Sequence, residues 1–112
     1  MKEIKAYIHK SRVADVIQAL KDAGHLDARN GCECRHLYVH VGHGVLKSSD
    51  QHEQHFSVDL AESVIDEYKL ELLCDEGYVD EMVAVIKQAA RTVNSAAGWI
   101  IVTEVISATV IQ

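Results

Sequence analysis

The residues with the clearest chemical potential lie between Gly31 and His43, a stretch with two of the three cysteines and three of the seven histidines. Leu37, Val39 and Val41 alternate with polar residues, which is typical of a half-buried strand. The alternation places five side chains on the opposite face: Cys32, Cys34, His36, Tyr38 and His40. Neighbours on such a face lie roughly 6.5–7 Å apart at Cα, so thiolates and imidazoles there could share one metal ion.

We therefore predict a transition-metal site, with Zn(II), Cu(I) or Ni(II) as suitable ions. Its candidate ligands are Cys32, Cys34, His36, His40 and His43. The alternative interpretation is a polar strand face with incidental side chains, because a free cysteine often packs as a small hydrophobe. Against that alternative, five of the seven histidines fall between positions 36 and 55.

Catalysis by this stretch has little support. An enzyme needs a nucleophile with a base, or an acid and a base, held together in a cleft. Cys34 with His36 is the only candidate pair on the strand, and no third orienting group or oxyanion hole is marked in the sequence. We expect a protein that is not an enzyme.

Length and charge exclude several classes. A chain of 112 residues predicts a single domain, 1–112, with a core of its own. The net charge of −6 argues against nucleic-acid binding. No apolar run approaches the ~20 residues that span a bilayer, and the charged N-terminus lacks a signal-peptide core. We expect a cytoplasmic protein without direct membrane insertion, whose odd number of cysteines are thiols.

Two similar strand–helix units surround the Cys/His strand. Residues 2–24 predict a strand and then a helix, with Ser11 as its N-cap and Gly24 as its stop signal. Residues 70–90 repeat this pattern, with Val79 in the place of Val13. A polar segment at about 43–63 predicts a long central loop.

Apolar segments at 99–102 and 105–111 predict two terminal strands. The element order then indicates an α+β fold, the ferredoxin-like βαββαβ arrangement with an extra C-terminal strand. Its antiparallel sheet would carry both helices on one face, and we expect other subunits to cover the opposite face.

Three parts of the chain resemble the PII nitrogen-regulatory signal-transduction family. Residues 1–8 and 13–20 resemble its opening strand and "DDV..AL" helix. Residues 85–92 resemble its "I..AART" signature, and residues 98–102 resemble its "G.KIFV" strand. These parts cover about half of the chain, and the "AART" element is the most specific of them.

This resemblance implies a compact homotrimer without catalytic activity. Such proteins bind adenine nucleotides, often with 2-oxoglutarate, in clefts between subunits, and the resemblance places Arg91, Thr92 and Gly98 at that cleft. It also implies that the central loop, known in the family as the T-loop, grips a target protein. In the family such targets are enzymes, transporters or regulators. For this chain we expect a membrane transporter or a regulator, or an efflux pump if the protein binds metal.

The sequence departs from the family after Thr92. The family has a glycine-rich phosphate-binding turn ending in Gly-Lys, whereas here only Gly98 remains and Trp99 replaces the lysine. Residues 107–112 carry no basic side chain, and the loop lacks the tyrosine that is uridylylated in enteric members. We therefore expect a diverged PII-like member that senses an adenine nucleotide or another small ligand. The alternative is a transition-metal binding or metal-tolerance protein of the same fold, with Zn, Cu or Ni held by the Cys/His strand and loop.

Overall fold

A computed structural model describes residues 1–24, 26, 34–45, 54–92, 98–109 and 111, without the side chains of residues 34–36. The described residues form five strands and two α-helices. In chain order these are β1 (Lys2–His9), α1 (Val13–Asp22), β2 (Cys34–Gly44), β3 (Gln54–Ser57), β4 (Glu62–Cys74), α2 (Val79–Ala89) and β5 (Gly98–Glu104). A single 3₁₀ turn precedes each helix, at Lys10–Arg12 and at Glu76–Tyr78.

The strands form one antiparallel sheet in the order β2-β4-β1-β5. β3 also pairs with β4, and Ile65 is paired with both Gly44 of β2 and Gln54 of β3. β2 and β3 therefore lie on opposite edges of β4. β3 lies on the same edge as β1, beyond the point where β1 ends opposite Glu67. The prediction of an α+β protein with an antiparallel sheet is confirmed, and the arrangement is compatible with a ferredoxin-like fold.

Both helices pack on the same face of the sheet. Alternate residues of the two central strands face them because β-strand side chains alternate with a period of two. Each helix contributes an apolar stripe at helical spacing. The fully buried side chains of this core are Ile4, Ala6, Ile8, Val16, Leu20, Leu70, Leu72, Cys74, Met82 and Ile86.

The start of α1 differs from the prediction, whereas its end agrees with it. Ser11 does not cap α1, because it lies within the 3₁₀ turn and its backbone N–H donates to Nδ1 of His9 at 3.1 Å. Arg12 precedes the helix without a side-chain cap. Gly24 has a φ of +82° directly after the helix, which is the left-handed conformation expected of a glycine stop signal.

The prediction of an extra C-terminal strand is wrong for the described residues. Residues 105–109 and 111 are not in a strand, and the fifth strand is β3 instead. Glu104 already pairs with Lys2, the first residue of β1, so the chain beyond it has run past the end of its partner. Just beyond β5, the backbone N–H of Val105 donates a hydrogen bond to the carbonyl oxygen of Met1 at 3.2 Å.

The central segment also differs from a continuous loop over 43–63. β2 extends to Gly44, β3 occupies Gln54–Ser57, and β4 starts at Glu62. The connection between β2 and β3 is therefore 45–53, of which 46–53 lie outside the described residues. Neither helix in the described part of the chain has the length and apolarity needed to cross a bilayer.

Candidate functional site

A cleft of about 260 Å³ lies where the end of α2 meets β1 and β5. Arg91, Thr92 and Gly98, the three positions that the family resemblance assigns to a ligand cleft, all line it. Residues 93–97 separate Thr92 from Gly98 in the sequence, but all three positions share this cleft because β5 lies beside β1. The remaining lining residues come from the same three elements: Tyr7, Ile8, Ile86, Lys87, Ala90, Trp99 and Ile100.

The backbone of β1 explains why position 98 is a glycine. Gly98 begins β5 opposite Ile8, and a Cβ atom at this position would lie 1.9 Å from the carbonyl oxygen of Tyr7. Real Cβ atoms essentially never approach an oxygen so closely. The absent side chain thus allows β5 to enter the sheet against β1 at the wall of the cleft.

The charged residues of the cleft lining are both cations. Lys87 lies in the last turn of α2 and Arg91 follows the helix, and no carboxylate is among the described lining residues. A helix C-terminus presents unpaired carbonyls, which disfavour an anion. Here Arg12 donates to the carbonyl of Ala89 from Nε at 3.0 Å and from Nη2 at 2.8 Å, so one of these carbonyls already has a cationic partner.

An aromatic ring lies beside these cations. Trp99 is 73% exposed and lines the cleft next to Gly98. An exposed indole offers a flat surface for stacking, while Arg and Lys offer hydrogen-bond donors to anionic oxygens. This combination suits a small anionic ligand that carries a planar group.

β2 is irregular within the stretch that carries the predicted Cys/His ligands. Cys34 pairs with Cys74 and Tyr38 pairs with Glu71, with a register shift between Arg35 and Tyr38. Cys74 and Glu71 lie three residues apart on β4 and hence on opposite faces. Four steps along β2 are therefore matched by three steps along β4, as in a β-bulge.

The predicted ligands are only partly described. Cys32, and the side chains of Cys34 and His36, lie outside the described residues, so their joint metal site stays a prediction. His40 pairs with Lys69 and His43 pairs with Asp66, so these two histidines occupy opposite faces of the sheet. His40 is near an acidic side chain, with Nε2 3.9 Å from Oε2 of Glu71.

The structure brings His43 together with His55 and Asp66, neither of which was among the candidate ligands predicted from the sequence. Nδ1 of His43 lies 3.3 Å from Oδ1 of Asp66, and Nε2 of His55 lies 2.9 Å from the same oxygen. The two imidazoles meet edge to face, with ring centroids 5.8 Å apart. The hydrogen bond with His55 is the main reason that the pKa of Asp66 is lowered, helped by the nearby charges of His43 and Lys10.

Sequence reasoning counted His55 among the clustered histidines but missed Asp66. The only local signal is the presence of His43 and His55 on either side of one polar segment. Asp66 lies beside them because β4 pairs with both β2 and β3. The periodicity of the sequence does not predict which strands pair.

No protein-family model matches the chain, and the search of curated proteins returns no match.

Proposed function

We propose that this protein is a non-catalytic, PII-like regulatory protein that senses a small ligand in clefts between subunits and signals to a partner through its central segment. The observation that carries this proposal is the cleft between α2, β1 and β5. Arg91, Thr92 and Gly98 line it together, and these are the positions that the motif resemblance assigned to ligand binding.

The chemistry of the cleft supports an adenine nucleotide as the first ligand to test. Lys87 and Arg91 supply two cations for phosphate oxygens, and Trp99 supplies an exposed ring for a base. Trp99 stands where the family has a lysine, so the ring takes the place of one phosphate contact. We therefore expect ADP or ATP to bind more weakly than in a site with the complete glycine-rich turn.

The exposed face of the sheet supports a homotrimer. The helices cover only one face, and the other carries Trp99 and Ile101, which are 73% and 43% exposed. Tyr7 and Trp99 belong both to this open face, by their register, and to the lining of the cleft. A neighbouring subunit on the open face would therefore also border the cleft, which is the arrangement that an inter-subunit ligand site requires.

The segment 45–53 is the proposed signalling element. It joins β2 to β3 across β4, at the end of the sheet where β2 and β3 flank Ile65. A membrane transporter, an efflux pump or a regulator would be the partner that this segment contacts. The chain itself would act in the cytoplasm, without nucleic-acid binding.

Calorimetric titration with ADP and with ATP tests the proposed ligand class. The wild-type protein should bind at least one of them, and Arg91→Ala should weaken binding by about tenfold or more, because a hydrogen bond to a charged group contributes about 1.5–3 kcal/mol. Lys21→Ala removes an equivalent cation from the last turn of α1, outside the cleft lining, and should leave the affinity unchanged. Equal affinities in all three proteins would contradict the assignment of the cleft.

A further inference from the structure

We propose that His43, His55 and Asp66 form a binding site for a divalent transition-metal ion, for which Zn(II) is the probe. This site is separate from the cleft on which the proposed function rests. It also differs from the predicted Cys/His site, with which it shares only His43. Its ligands come from three adjacent strands: β2, β4 and β3.

The pairing of the strands positions the three side chains. His43 is directly opposite Asp66, and His55 is opposite Val64, two residues before Asp66 on the same face of β4. The carboxylate of the middle strand therefore lies between an imidazole on each side. Side chains opposite or diagonal across neighbouring strands are the pairs that approach closely enough to interact.

The distances between the donor atoms fit a metal centre. Zn–N and Zn–O bonds of about 2.0–2.2 Å place tetrahedral ligand atoms about 3.4 Å apart. The two nitrogen–oxygen distances are 3.3 Å and 2.9 Å, and one donor atom from each of the three residues lies within 4.8 Å of the others. Small side-chain rotations would therefore be enough to surround an ion.

The donor set also decides the class of ion. Two imidazoles and one carboxylate suit Zn(II), Ni(II), Cu(II) or Fe(II), whereas Mg(II) and Ca(II) prefer oxygen donors alone. All three side chains are partly exposed, so an ion can enter and water can complete its coordination.

Metal binding at this site would connect the two ends of the segment 45–53. His43 lies one residue before the end of β2, and His55 is the second residue of β3. An ion held by both would link these strands to β4 through their side chains as well as through the backbone ladder. The four-residue strand β3 would gain the most from such a link, because so short a strand has few ladder hydrogen bonds.

Zn(II) titration in competition with a chromophoric chelator tests the site on the full-length protein. His55→Ala and Asp66→Asn should each weaken Zn(II) binding by at least about tenfold, since even the loss of an outer-shell partner typically costs 10–100-fold in affinity. Asp22→Asn makes the same exchange as Asp66→Asn at the last residue of α1, outside the group of three ligands, and should have no effect. Far-UV circular dichroism would check that each variant keeps its secondary structure, and the exposed positions of these side chains favour that outcome.

A Cys32→Ser/Cys34→Ser double variant separates this site from one built on thiolates. We expect it to retain wild-type Zn(II) affinity, and we expect bound Co(II) to show no thiolate charge-transfer absorption. Loss of binding in the cysteine variant, unchanged affinity in both His55→Ala and Asp66→Asn, or no Zn(II) binding by the wild-type protein would each overturn the proposal. Arg91→Ala should bind Zn(II) normally, so failure of the nucleotide cleft and failure of the metal site are distinguishable.

Discussion

Gly98 shows how one residue controls the approach of two strands. Its backbone lies so close to the carbonyl oxygen of Tyr7 that no side chain fits between them. Gly77, in the turn before α2, has no atom within 4 Å of the position that a Cβ would take. The two glycines therefore provide a matched pair for substitution.

Gly98→Ala should lower the free energy of unfolding by about 1–3 kcal/mol, the usual range for overpacking, because β5 must move away from β1. Gly77→Ala should change it by no more than about 0.5 kcal/mol, as is usual for surface substitutions. Urea denaturation of the two variants and the wild-type protein measures the difference. Equal effects at the two positions would show that the close contact with Tyr7 is not a constraint.

The ion pair between Lys69 and Glu71 makes stability depend on pH. Nζ of Lys69 lies 2.7 Å from Oε1 of Glu71. This hydrogen bond lowers the pKa of Glu71 below its ordinary value of 4.5 and raises the pKa of Lys69 above 10.5, in each case as the main cause. A carboxyl whose pKa is lower in the folded protein stabilises the fold above its unfolded pKa, and this stabilisation is lost as the pH falls through the folded value.

Glu71→Gln should therefore be less stable than the wild-type protein at pH 7. The difference should shrink as the pH falls from about 4.5 and disappear well below it, once the wild-type carboxyl is also protonated. Chemical denaturation at pH 7, 5 and 3 follows this change. Glu62→Gln, at the exposed start of β4, is the control and should show no comparable difference between these pH values. A constant difference for Glu71→Gln at all three values would argue against the ion pair as its cause.

At the scale of elements, the connection between β2 and β3 must cross from one edge of β4 to the other. Neighbouring strands are about 4.8 Å apart, so the two flanking strands are separated by about 10 Å. The nine residues 45–53 are more than this distance needs, since five extended residues already reach about 17 Å. The sheet therefore does not require a connection of this length, in keeping with the proposed signalling role of the segment.

Deleting residues 48–51 should leave the fold intact, because the five remaining residues still span the gap. We expect an unchanged circular dichroism spectrum, an unchanged sedimentation coefficient and an unchanged nucleotide affinity, together with loss of any partner that the wild-type protein captures. Deleting Gln54–Ser57 instead removes β3 and with it its ladder to β4. Unfolding of the shorter deletion would show that the segment is structural rather than a signalling element.

At the scale of the whole molecule, the proposed homotrimer depends on the open face of the sheet. Ile101 is on this face, because its partner Lys5 alternates with the buried Ile4 and Ala6. Ile106 is equally apolar and fully exposed, but it lies beyond the end of β5. The two isoleucines allow the sheet face to be tested separately from general surface hydrophobicity.

Light scattering should give the wild-type protein three times the mass of one chain. Ile101→Glu should shift it to the monomer, because a charge buried in an interface without a partner is strongly unfavourable. Ile106→Glu should remain a trimer. A monomeric wild-type protein would contradict the homotrimer and, with it, a cleft between subunits.

The sequence by itself determined the elements whose pattern is local. A strand followed by a helix was predicted over residues 2–24, and the structure has β1 and α1 there. The positive φ of Gly24 follows from its place after the helix. The repeat of strand and helix around Val13 and Val79 indicated the α+β class. The motif resemblance grouped Arg91, Thr92 and Gly98, and these three residues line one cleft in the structure. Their ligand stays a prediction.

The tertiary structure decided every feature that depends on which strand pairs with which. The register of β2 against β4 shifts between Arg35 and Tyr38, which the alternation in its sequence does not indicate. The apolar residues after Glu104 form no strand in the described part of the chain, because β1 ends opposite them. His43, His55 and Asp66 converge because β4 pairs on both edges near Ile65. A sequence period reports which residues share a face, whereas hydrogen bonding between distant segments decides what that face meets.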